Sequence, residues 1–180
     1  MKLVFGLLST ALLSNAAVSA QPLRPYWFLL KDDQRTWCGY LSEQKFQAQA
    51  GEIKPLESAR LTLMAGAPKE ITYQVQPESG DWVIADKYSF YSGSIKLKRA
   101  TIFAQTGIQV FQESEIHAGK ASPLKTVSVK NLNGTAASAK DLDYPNLPIE
   151  KGASEFPFLS IAQEMGKKST PVLCGKPSAR

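Results

Sequence analysis

Between residues 61 and 129 the chain repeats one pattern: short runs of alternating apolar and polar residues, separated by Gly, Pro or Ser. Ile71-Thr72-Tyr73-Gln74-Val75-Gln76 alternates with period two, the signature of a half-buried strand. Pro77-Glu78-Ser79-Gly80 then reads as a turn, because Pro presets φ and Gly tolerates positive φ. Strand character resumes over Asp81 to Tyr91. Trp82, Ile84, Tyr88 and Phe90 share one parity there, with Asp86 as the charged exception. Ser92-Gly93 turns the chain again. The next run, Ser94 to Ala104, sets Ile95 and Leu97 against Lys96 and Lys98. Ala100 and Ile102 then take the apolar parity, and a β-bulge around Arg99 and Ala100 would account for the shift. Gln105-Thr106-Gly107 reads as a hairpin loop. Ile108 to Phe111 and Leu124 to Val129 read as further strands, as do Tyr26 to Leu30, Thr36 to Leu41 and Leu61 to Met64 upstream. Phe46 to Ala50 fits either type of element.

The period changes near the C-terminus. Phe158, Ile161, Ala162 and Met165 fall at i, i+3, i+4 and i+7, which gives one apolar stripe on a helix near 157–166. Pro157 suits its first position, Gly166 its C-terminal cap, and Lys167 and Lys168 the negative helix end. Such a stripe ordinarily packs on the protein's own sheet. Residues 131–156 hold Asn133-Gly134, Pro145 and Pro148 but no period, and read as a long surface loop. Strands at roughly ten-residue spacing, with no helix between residues 60 and 130, predict an all-β protein. The expectation is a single antiparallel β-sandwich or barrel-like domain over residues 21–180, with one short C-terminal helix.

Composition adds an address. Residues 1–20, MKLVFGLLSTALLSNAAVSA, place one lysine before an apolar run and end on Val18-Ser19-Ala20, the pattern of a secretory signal peptide. The run is shorter than the roughly 20 apolar residues a spanning helix needs, and no other stretch is long enough to span. A periplasmic or secreted protein is therefore expected. Removal of those 20 of the 180 residues leaves 160, enough for a proper core. In an oxidising compartment the only two cysteines, Cys38 and Cys174, most simply form one disulfide that tethers the C-terminal tail.

The chemistry on offer is limited. His117 is the only histidine, at a strand end before a Gly-containing turn, and no Gly-x-Ser-x-Gly elbow accompanies it. No metal-ligand spacing such as HExxH is present, so neither a metal nor another cofactor is expected. Asp141-Leu142-Asp143 lacks the rest of a calcium loop and reads as a solvated acidic turn. Glu113 and Glu115 share a parity and are the best carboxylate pair for glycan hydrolysis, although such a pair is more often an exposed strand face. Asp86 reads as an inward charge that discourages edge pairing, with a place in a binding cleft as the other reading.

Charge is segregated along the chain. The net charge is +5, yet Ile116 to Lys140 holds four lysines and no acid, and Met165 to Arg180 repeats this with Lys167, Lys168, Lys176 and Arg180. Asp141 to Glu164 between them holds five acids and one lysine. Lys96, Lys98 and Arg99 add a basic strand segment. If these segments meet, they form a patch for an anionic partner. Nucleic acid is not expected, because there is no recognition helix or RNP-type aromatic motif. Among the aromatic residues, Tyr91 has the opposite parity from Tyr88 and is the better exposed ring. The expected function is that of an exported, non-catalytic binding module. It would engage an envelope polyanion or a protein partner through a sheet face or basic rim. Candidate binding residues are Tyr91, Lys96, Lys98, Arg99, Lys120 and Lys125. A carboxylate-based glycan hydrolase, or a structural subunit of an envelope assembly, is the alternative.

Overall fold

The computed structural model describes residues 24–32, 35–140 and 142–176. The expected signal peptide over residues 1–20, Asp141 and Arg180 lie outside them. Ten strands among the described residues form one antiparallel sheet. They are β1 (Arg24–Leu30), β2 (Trp37–Tyr40), β3 (Glu57–Met64), β4 (Ala67–Val75), β5 (Trp82–Tyr91), β6 (Ser94–Phe103), β7 (Ile108–His117), β8 (Lys120–Ala121), β9 (Lys125–Asn131) and β10 (Val172–Gly175). Their order is β10-β2-β1-β3-β4-β5-β6-β7-β8, with β9 also paired to β7, and the sheet does not close on itself. The antiparallel β-rich architecture with a short C-terminal helix is as expected.

Strands β3 to β7 form a meander of successive hairpins, each closed where the sequence has its turn residues. Between β5 and β6 the turn is Ser92-Gly93, with Gly93 at φ 81°, a backbone region that favours glycine. The register of this hairpin is continuous from Tyr91↔Ser94 to Trp82↔Phe103. The bulge expected around Arg99 and Ala100 is therefore absent. One parity of β6 stays inward throughout, with Leu97, Arg99, Thr101 and Phe103 all buried. What looked like a parity shift is a charged residue on the inward face. Register irregularities fall instead between Thr62 and Leu63 in β3–β4 and between Phe111 and Gln112 in β7–β9.

Two α-helices among the described residues pack on the sheet. Helix α2 (Leu159–Lys168) buries Ile161, Ala162 and Met165 against the inner face, beside Phe28, Leu61, Tyr88 and Leu97. Its boundaries differ from those expected. Phe158 occupies the N-cap, Gly166 lies within the helix, and Ser169 in the left-handed region ends it. Just before α2, Phe158 reaches into the core, with its ring centroid 4.8 Å from that of Phe28 and 5.3 Å from that of Trp37. Close approach here depends on Gly39 of β2. A Cβ at that position would stand 2.5 Å from Met165 Sδ and 2.7 Å from a ring carbon of Phe28.

The ambiguous stretch around Phe46 is helical. Helix α1 (Glu43–Ile53) starts at Ser42, whose hydroxyl accepts from the Lys45 N–H, and ends at Lys54 in the left-handed region. Phe46, Ala50 and Ile53 pack on Leu29, Cys38 and Tyr40, on the opposite side of β1 and β2 from α2. Burial holds the Tyr40 phenol above its ordinary pKa. Cys38 and Cys174 are directly opposed on β2 and β10 and are joined by the expected disulfide. No helix among the described residues is long and apolar enough to cross a membrane.

Candidate functional site

The outward face of β4 to β9 gathers most of the candidate binding residues, because antiparallel register places them in rows. One row runs Lys87, Lys98, Glu113, Lys125 and the next runs Glu70, Ser89, Lys96, Glu115. The third runs Tyr91, Ser94, His117, Lys120. Cross-strand neighbours of opposite charge pair up: Lys87 with Glu70 at 2.7 Å, Lys98 with Glu113 at 3.2 Å and Lys96 with Glu115 at 3.6 Å. The carboxylates thus offset much of the local lysine charge. His117 is exposed, with its Nε2 3.4 Å from the Glu115 carboxylate.

At the end of this face the balance tips. Tyr91 is 53% exposed, and the ammonium groups of Lys69 and Lys96 stand 5.5 and 5.9 Å from its ring centroid. Lys120 lies in the same row. An exposed aromatic ring with lysine ammonium groups over it puts apolar surface and positive charge at one place, the Lys96 charge being shared with Glu115. Lys69 was not singled out from the sequence. It stands near the start of β4, and its relation to Tyr91 appears only once β4 and β5 are paired.

Arg99 is not part of this face. It is 4% exposed and points inward to Asp86, which is 3% exposed. Nε donates to Asp86 Oδ1 at 2.8 Å and Nη2 to Oδ2 at 2.7 Å, a two-pronged ion pair. Burial alone would lower the Arg99 pKa, but the hydrogen bonds and charge of Asp86 outweigh it and raise it. Asp86 therefore guards no edge: β5 lies between β4 and β6, and its carboxylate serves Arg99.

The pair also seats a distant segment. Nη1 of Arg99 donates to the Leu147 carbonyl at 3.3 Å and Nη2 to the Pro148 carbonyl at 3.4 Å. The Tyr88 hydroxyl accepts from the Glu150 N–H at 3.2 Å and lies 3.3 Å from Asp86 Oδ2. Burial, and then the Asp86 charge, hold the Tyr88 phenol well above its ordinary pKa. Tyr144 meets Phe103 edge to face at 5.6 Å. The stretch expected to be a long surface loop begins, as its Asn-Gly pair suggests, with a turn at Asn133-Gly134. It then crosses the inner face as a strap over 142–152, and reaches the core through a 3₁₀ turn at Ala153–Glu155.

The described lysines of the two basic stretches fall on different elements. Lys120 and Lys125 belong to the β7–β9 edge, whereas Lys167 and Lys168 ride on α2 at the inner face, where Lys168 pairs with Glu164. Among the described residues no cluster of three or more His, Cys, Asp or Glu is placed to hold a metal ion. No family model, curated protein or solved structure matches this chain.

Proposed function

We propose that the chain is an exported, non-catalytic binding module that engages an anionic envelope component through the outward face around Tyr91. The reading rests on one observation above all: an exposed tyrosine ring with two lysine ammonium groups beside it and Lys120 in the same row. A sugar ring can stack on the phenol while its acidic substituents meet the lysines. Export, suggested by residues 1–20, is consistent with the disulfide. The hydrolase reading has less support. A glycosidase acid is typically a shielded carboxyl, whereas the Glu113 and Glu115 side chains are 48% and 54% exposed and each is engaged by a lysine.

The test is retention of the full chain on an immobilised acidic polysaccharide, with a neutral polysaccharide as control, as salt is raised. Retention on the acidic matrix alone, lost at high salt and reduced by Tyr91→Ala and by Lys96→Glu/Lys120→Glu, is the expected result. Equal retention on both matrices, none on either at low salt, or indifference to these substitutions would overturn the proposal.

A further inference from the structure

The inner face carries a second feature, unrelated to the lysine rows. Between the strap and the 121–124 segment lies an open cleft of about 790 Å³. Arg99, Thr101 and Gln112, from β6 and β7, line it between those two walls. Its volume falls within the roughly 300–1,000 Å³ of small-molecule sites. The lining is mixed. Leu124 and Ile149, each also packed on the core, supply its apolar part from opposite segments with Tyr144 and three prolines, and polar side chains such as Thr101, Gln112 and Asn146 lie among them. Two cations, Arg99 and Lys151, line the cleft; the Arg99 charge is balanced by Asp86, and no carboxylate is among the described lining residues.

The two cations differ in availability. Four of the five N–H donors of a guanidinium are accounted for at Arg99 by Asp86, Leu147 and Pro148, so it mainly holds the wall. Lys151, at the end of the strap, is exposed and lines the cleft. An occupant complementary to this site carries an apolar chain for Leu124 and Ile149 and is negative at one end.

We propose that this cleft binds a single-chain anionic amphiphile, with the chain lying between Leu124 and Ile149 and the headgroup at Lys151. The site is independent of the outward face around Tyr91. Calorimetric titration of the full chain with dodecanoate, dodecyl phosphate, dodecyltrimethylammonium and acetate tests it. One-to-one saturable binding is expected for the two anionic amphiphiles, and the stronger of them identifies the preferred headgroup. Acetate, which lacks the chain, and the cationic amphiphile should bind at least tenfold more weakly. Ile149→Trp, which fills the cleft, should weaken dodecanoate binding about tenfold or more. Lys151→Glu, at an exposed position that leaves the fold intact, should do the same. Tyr91→Ala should leave it unchanged, which separates this proposal from the one above. The idea fails if neither anionic amphiphile saturates below its own aggregation concentration. It also fails if the cationic amphiphile binds equally, or if dodecanoate binding is insensitive to both cleft substitutions.

Discussion

Lys98 and Arg99 are consecutive residues, and each forms an ion pair across to a neighbouring strand, yet the two pairs live in different media. Lys98–Glu113 lies on the outward face, with side chains 68% and 48% exposed, whereas Arg99–Asp86 lies inside, at 4% and 5%. Outside, water competes for both partners and the ions need each other little. Inside, neither charge has an alternative partner in water, so each depends on the other. Alternation along β6 is all that decides which residue has which fate. The same chemistry is therefore a solvated surface on one side and a structural clasp on the other.

The largest effect should come from breaking the inner pair. Arg99→Met leaves Asp86 buried without its partner and should lower stability by about 3–5 kcal/mol, read as a shift in the urea midpoint. The double variant Asp86→Leu/Arg99→Met should recover most of that loss. If it does not, the buried charge is not the source. Both variants remove the donors to Leu147 and Pro148, so both should speed proteolysis within the strap. Packing on the same face is next in size. Gly39→Val places carbon against Met165 and Phe28, and should destabilise by roughly 1–3 kcal/mol through overpacking.

Alkaline titration separates the faces in another way. Burial holds the Tyr88 phenol above its ordinary value, and burial followed by the hydrogen bond to Glu57 does the same for Tyr73. The unfolded phenols ionise near pH 10, whereas the folded ones keep their protons. Above that pH the unfolded chain therefore binds fewer protons, and stability falls as pH rises. Tyr88→Phe should flatten this loss relative to wild type when unfolding is followed upward from about pH 10, and an equally steep loss would argue against the assignment. The smallest effect belongs to the outward rows. Glu113→Gln should change stability by less than about 1 kcal/mol, and that change should fade with added salt. A loss comparable with that of Arg99→Met would erase the contrast between the two faces.

Much of the sheet was legible because β4 to β6 are half-buried, and half-burial writes period two into the sequence. The ion pair was missed, with Arg99 read as a binding residue and Asp86 as an edge charge, although the register that gives it can be counted. A two-residue turn at Ser92-Gly93 pairs Tyr91 with Ser94, and counting back along both strands sets Asp86 opposite Arg99. Two lone charges of opposite sign at matched positions on an inward face signal a buried pair, not a bulge. Helix α1 was harder to see, since its apolar side amounts to little more than Phe46, Ala50 and Ile53. Its cap at Ser42, with Glu43 in the first turn, was the available sign. The seat of the strap could not be read locally. It joins residues some 48 positions apart through backbone carbonyls, which carry no side-chain signature. Lys69 reaches Tyr91 by strand pairing alone.

The disulfide has a mechanical meaning. It ties β2, next to one edge strand, to β10 at that edge, across 136 residues of sequence. A pull applied at the two ends of the chain first loads β1, which lies outside the disulfide loop and between β2 and β3 in the sheet, and from Cys38 onward it is carried by the covalent bond. Some 450–490 Å of contour length, at about 3.3–3.6 Å per residue, is thereby withheld from extension until the bond is reduced. Both the lysine-bearing face and the strap lie within that loop, so their stretch of chain cannot be drawn out while the bond holds.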